Sequence, residues 1–191
     1  MKAELAKKAP SISTKENVVT NKVLKSSQEF MPYLDRIIQI GDENRTTFGF
    51  MPRDAYKQKI EQEKLLVSTD NEGNYLGHIL HGGKCNEIRI YQTYSLPENR
   101  EKGVATSLIQ EVEKYGENKS CLNLRADVAS DLTSAMRFYQ GQGFYALKPR
   151  DKKNTTGREV LIFYKRLSTP SLLPTEDLNL SMSLPSSEAE F

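Results

Sequence analysis

The sequence predicts an α/β chain of the α+β type. It reads as one domain on a central mixed, mostly antiparallel sheet of six to seven strands, flanked by about four helices. Three observations predict it. Apolar residues switch repeatedly between strand-like and helical spacing from residue 18 to residue 167. Two short apolar runs at 65–69 and 75–80 are separated by the polar turn 70–74, which marks a hairpin. A strand-like run at 87–95 leads through a short glycine-containing segment into the most amphipathic helix of the chain, at 102–115. A chain of 191 residues is long enough for one domain with a sizeable core.

Taken in order, residues 18–24 carry β-branched residues and read as a first strand. Phe30, Tyr33, Leu34, Ile37 and Ile38 are spaced for one helix face over 30–40, with Ser27 as its cap and Gly41 as its stop. Residues 52–63 form a second helix with a proline at its start. The hairpin strands 65–69 and 75–80 follow, then Gly82 and Gly83. The strand at 87–95 places Ile88, Ile90, Gln92 and Tyr94 on one face. In the helix at 102–115, Val104, Leu108, Ile109 and Val112 make the apolar stripe and Gly116 follows it. A strand at 121–128, a helix at 133–140, and closing strands at 144–148 and 160–167 around the polar loop 149–159 complete the domain.

The ends differ from this middle. Residues 1–17 are polar and lysine-rich and read as a flexible arm. Residues 168–191 form an acidic tail rich in Pro and Ser, without Lys or Arg, that reads as disordered; Pro170, Pro174 and Pro185 break any helix in it. Basic residues (27) and acidic residues (25) nearly balance, so overall charge argues for neither nucleic acid nor a membrane surface as partner. No apolar run approaches the roughly 20 residues of a membrane span, and the charged start has no apolar leader. The expected location is the cytoplasm, as a monomer or homodimer. Cys85 and Cys121 are far apart and read as reduced thiols, and His78 and His81 lack a third ligand nearby, so no metal is expected.

The chemistry is concentrated between residues 95 and 106. This segment ends a strand and opens a helix, whose first N–H groups are unpaired and carry partial positive charge. Gly103 and Ala105 leave the backbone open to a close approach, while Arg100 and Lys102 add positive charge. An anion cradle for phosphate and an ordinary glycine turn both fit these facts.

The run Arg100-Glu101-Lys102-Gly103-Val104-Ala105 resembles the Arg/Gln-x-x-Gly-x-Gly/Ala signature of the GNAT N-acetyltransferase superfamily. Downstream, Ala135-Met136-Arg137-Phe138-Tyr139-Gln140-Gly141-Gln142-Gly143-Phe144 is similar to the Ala-x-x-Phe-Tyr-x-x-x-Gly-Phe pattern that closes that superfamily's cofactor site. The two motifs in this order and spacing are far more specific than either alone. The resemblance covers residues 65–167 well. Helices at 30–63 fit by position only, and neither tail is covered.

The resemblance implies acetyl-CoA as cosubstrate and an amine as acceptor. It implies a bulged, splayed strand whose backbone at Tyr94, Ser95 and Leu96 pairs with pantetheine. It places pyrophosphate, beside Arg100, on the N–H groups of Glu101, Lys102, Gly103, Val104, Ala105 and Thr106. Many members carry Gly where Glu101 stands. Tyr139 matches the tyrosine near the cofactor sulfur, where a phenol can protonate a departing thiolate. Asp131 is the nearest match to a polar residue that precedes the second motif. Glu87, and after it Asp127, are candidates for the base. Tyr91, Gln92 and Tyr94 are placed to shape the acceptor pocket. The segment 42–52, with Arg45, Phe48, Phe50 and Met51, lies where the superfamily covers its acceptor site. Two other readings stand beside catalysis: a non-catalytic acyl-CoA-binding module, and an enzyme for an RNA-linked amine using the lysine-rich arm and Arg150, Lys152, Lys153 and Arg158.

Overall fold

The computed structural model describes residues 21–84, 86–154 and 157–167. The expected arm 1–17, tail 168–191 and Cys85 lie outside the described residues. Seven strands form one sheet in the order β1-β2-β3-β4-β5-β7-β6. The strands are β1 (Lys22–Leu24), β2 (Leu65–Thr69), β3 (Tyr75–Lys84), β4 (Glu87–Ser95), β5 (Asn123–Ala129), β6 (Tyr145–Pro149) and β7 (Val160–Arg166). Every neighbouring pair is antiparallel except β4 with β5. Four longer helices flank the sheet: α2 (Leu34–Glu43), α4 (Arg53–Glu61), α5 (Val104–Asn118) and α6 (Thr133–Gly141). Two single-turn helices, α1 (Ser27–Phe30) and α3 (Arg45–Phe48), precede and follow α2.

Strand alternation divides the core in two. Leu65, Val67 and Leu80 face Phe30, Leu34, Ile37 and Tyr56 of the first helices. Their neighbours Leu66 and Ile79 face the other way, into a cluster with Leu108, Ile109 and Val112 of α5 and Tyr139 of α6.

The first helix differs from expectation. Its cap is Ser26, which forms a capping box with Glu29, rather than Ser27. Pro32 lies in a 3-10 turn at Met31–Tyr33, and α2 then runs through Gly41 to Glu43. Gly41 is therefore a contact residue and not a stop: a Cβ there would overlap the Tyr56 hydroxyl of α4. Gly116 likewise lies inside α5, against Leu167 and Ile88. The strand expected at 75–80 continues through Gly82 and Gly83 to Lys84, paired with β4 from Gly77 onward.

The most consequential difference is in β4. Leu80 pairs with Gln92 and His81 with Ile90, so Tyr91 is an extra residue, a bulge. One inserted residue reverses the alternation beyond it. Ile88 and Ile90 stay in the cluster with α5. Gln92 turns to the opposite face, where its amide meets Tyr56 and His78. The expectation that Ile88, Ile90, Gln92 and Tyr94 share a face fails for this reason.

Candidate active site

The bulge sits where the sheet opens. β4 pairs with β5 only from Glu87 opposite Asn123 to Ile90 opposite Ala126. β5 stays paired with β7 as far as Ala129, so beyond Ile90 the two central strands diverge. Alternate residues of a strand direct their polar groups to opposite neighbours, and those of β4 that face the gap are left without a strand partner. The gap is part of a cleft of about 960 Å³. Its walls are residues 90–95 of β4, residues 127–129 of β5, the segment 99–106, the inner face of α6, and Asn44, Thr47 and Phe48.

One end of the cleft is an anion cradle. Glu101 and Gly103 adopt left-handed backbone with φ of +61° and +84°. These turn the chain into α5 so that the N–H groups of residues 101–106 have no acceptor among the described residues. Unpaired N–H groups at the start of a 15-residue helix suit phosphate oxygens. A Cβ on Gly103 would meet nothing within 4 Å, so the backbone there lies open.

Tyr139 lies in the middle of the cleft wall. It is buried between Phe138 and Phe144, with ring centroids at 5.3 and 5.2 Å. Its hydroxyl is 3.1 Å from Thr93 Oγ1 on β4. Burial pushes the phenol up to about 12, against a smaller opposing effect of the Thr93 hydrogen bond. The hydroxyl therefore keeps its proton at neutral pH.

The structure brings most of the expected residues together: Tyr94, Ser95, Arg100, Glu101, Lys102, Gly103, Val104, Ala105, Thr106 and Tyr139 all line the cleft. Three do not join them. Leu96 is outside the lining, and both its backbone groups are occupied: its N–H donates to Leu76 O and its carbonyl accepts from Asn99 N, each at 2.9 Å. Asp131 is held by Arg158 at 2.5–3.0 Å, outside the lining. Glu87 starts β4, in a separate groove 3.9 Å from Arg125. Six residues of strand separate it from Thr93, about 20 Å. Asp127, by contrast, lines the cleft, gripped by Arg125 at 2.7 and 3.1 Å.

Sequence reading missed three participants and gave a fourth, Arg158, only as part of a basic cluster. Thr93 meets Tyr139 across 46 residues. Gln142 Nε2 donates to Thr106 Oγ1 at 3.1 Å, tying the end of α6 to the first turn of α5. Arg125 carries no motif; only its i,i+2 spacing from Asp127 on one strand hinted at the pair. Arg158 Nη1 donates to Thr46 O at 2.7 Å while it binds Asp131, joining α3 to the turn before α6.

Residues 33–156 match the acetyltransferase (GNAT) domain. The chain belongs to the GNAT acetyltransferase family. Solved GNAT-type structures share the fold. Ard1 from Thermoplasma volcanium superposes with a TM-score of 0.67 at 18% identity, over 78% of this chain and 99% of that one. N-acetylglutamate synthase from Neisseria gonorrhoeae, complexed with coenzyme A and N-acetyl-glutamate, gives a TM-score of 0.63 at 14% identity, over 78% of this chain and 36% of that one. Aminoglycoside N(6')-acetyltransferase type 1 of Salmonella typhimurium is 35% identical over 51 residues, 27% of this GNAT chain. The match spans 35% of that relative's length, about a third. Among the described residues of this GNAT protein no helix is long and apolar enough to cross a membrane, and no cluster of three or more metal-ligand residues occurs.

Proposed function

We propose that the chain transfers an acetyl group from acetyl-CoA to a primary amine. The observation that carries this reading is the unpaired N–H cradle at 101–106 opening into the β4–β5 gap beside a buried, protonated Tyr139. The cradle fits a pyrophosphate, and the gap-facing backbone of Ser95, whose neighbours Tyr94 and Leu96 turn theirs to β3, fits an amide of a pantetheine chain. When bound, acetyl-CoA supplies the activated acetyl group as a thioester.

Tyr139 Oη holds its proton until a thiolate develops nearby, and then acts as general acid. Thr93 fixes the direction of that hydroxyl. Asp127 receives the acceptor's proton through a water, and Arg125 holds its carboxylate in place. Phe48 and Tyr94, in edge contact at 6.3 Å, form the wall against which the acceptor is positioned. Holding both reactants in one cleft supplies much of the acceleration.

Thiol release from acetyl-CoA with a panel of amines tests the reading. Tyr139→Phe is expected to lower kcat by about 100-fold or more, the range of one general acid, with coenzyme A affinity retained. An unchanged kcat removes Tyr139 from the chemistry. Coenzyme A binding without transfer to any amine would instead support a non-catalytic acyl-CoA-binding module.

A further inference from the structure

Tyr91, the bulge residue, lines two cavities. One is the cleft; the other is a groove of about 570 Å³ bounded by Gly83, Lys84, Asn86, Glu87 and Arg89. The two cavities are separate but adjoin at Tyr91, and the groove lies along β4 on the side away from the phosphate cradle. Arg89 and Tyr91 lie on the face opposite Ile88 and Ile90, which are packed against α5.

The charges along this path are unevenly paired. The carboxylates on either side of Tyr91, Asp127 in the cleft and Glu87 in the groove, both face Arg125, at 2.7 and 3.9 Å. The cations of the groove are not engaged in this way. Among the described residues, neither Lys84 nor Arg89 has a carboxylate within 4.0 Å. The Lys59 ammonium adds a third positive charge, 4.6 Å from the Tyr91 ring centroid. An occupant of this groove meets uncompensated positive charge.

We propose that the groove is an anion subsite and that the acceptor is an acidic peptide. Its terminal amine enters the cleft, and a carboxylate a few residues on lies between Lys84 and Arg89. Tyr91 at the cleft and Arg89 lie on one face, two residues or about 7 Å apart along the strand, and Lys84 lies opposite Glu87, about 13 Å from Tyr91, so an extended peptide spans the path in two to four residues. The inference rests on the acetyl-transfer reading. It also separates this chain from the aminoglycoside acetyltransferase it partly resembles, because a polyammonium amino sugar would face the same positive groove with no free carboxylate to bind it.

Three peptides of equal length test it, each with a free N-terminal amine and Glu, Gln or Lys at positions 4 and 5. The Glu peptide is expected to show a KM at least tenfold below that of the Lys peptide, with the Gln peptide between. The difference should shrink as ionic strength rises. The double variant Lys84→Glu/Arg89→Glu should reverse the order while kcat for the Gln peptide and coenzyme A affinity stay unchanged. Equal KM values for the three peptides, or an order unaffected by the double variant, overturn the subsite. Transfer to small amines but to none of the peptides also overturns it and leaves the acetyl-transfer reading intact. Absence of transfer to every amine defeats that reading itself, and the subsite with it.

Discussion

His78 and His81 lie three residues apart on β3, both almost fully buried, in unlike surroundings. His78 contacts the Tyr75 hydroxyl at 2.6 Å and Gln92 Oε1 at 3.4 Å, and stacks on Tyr94. His81 packs against the Tyr115 ring, and neither of its ring nitrogens has a hydrogen-bond partner among the described residues. Burial pushes both imidazoles down to about 4; for His81, Lys64 and Lys59 add to the effect. The unfolded chain takes up protons at these sites below the ordinary value near 6.5, and the folded chain does so only near 4. Their stabilising effect is therefore complete above pH 6.5 and is lost as pH falls towards 4. Urea unfolding should show a slope of up to about 1.4 kcal/mol per pH unit for each histidine in that window. His81→Leu should remove one histidine's share of the slope and raise stability at neutral pH, because it also removes two buried unsatisfied nitrogens. An unchanged slope would mean that His81 is protonated or hydrated in the native protein.

At the scale of elements, two junctions are most sensitive. The first is the entry to α5, where Glu101 and Gly103 are both left-handed. Such a conformation costs an L residue other than glycine about 1–2 kcal/mol. Glu101→Gly should relieve it and take a carboxylate away from the cradle, so coenzyme A affinity measured by calorimetry should hold or tighten. Gly103→Glu should abolish that affinity, because it combines a strained backbone with a negative charge beside the pyrophosphate position. Tight binding by the Gly103→Glu protein would remove the cradle from the site. The second junction is α2 against α4. Gly41→Ala drives a methyl into the Tyr56 hydroxyl, which also accepts from Gln92 Nε2 at 2.9 Å. Overpacking of this kind costs about 1–3 kcal/mol. Chemical denaturation should show a lower midpoint, together with weaker acceptor binding where Gln92 lines the cleft.

For the whole molecule, the cleft gathers segments from both sides of the sheet, so a ligand in it stabilises the entire fold. At a hundred times its Kd, acetyl-CoA should add about 2.7 kcal/mol. In a domain of this size that raises Tm by about 5–10 °C. The shift should vanish in the Gly103→Glu protein and persist in Tyr139→Phe. A shift of equal size in both variants would place the ligand elsewhere.

The fold class, the bounds of β2 and β4, and the helix–motif order of the cofactor site were legible in the residues. Periodicity, turn chemistry and motif spacing are local properties, and they survive folding unchanged. The stop reading of Gly41 failed, and Gly116 fell inside α5, because each glycine answers to a side chain far away in sequence, Tyr56 for one and Leu167 for the other. The bulge at Tyr91 was equally invisible, since an extra residue on β4 exists only relative to its partner β3. That one residue sends Gln92 to the opposite face. Immediately before it, the pairing of β4 with β5 ends. The tertiary structure likewise decided that Tyr139 meets Thr93, that Asp127 and not Glu87 reaches the cleft, and that Asp131 belongs to Arg158. Each of these depends on which residues of different elements come within a few ångströms. The sequence by itself determined what the cleft is made of, and strand pairing determined which groups face into it.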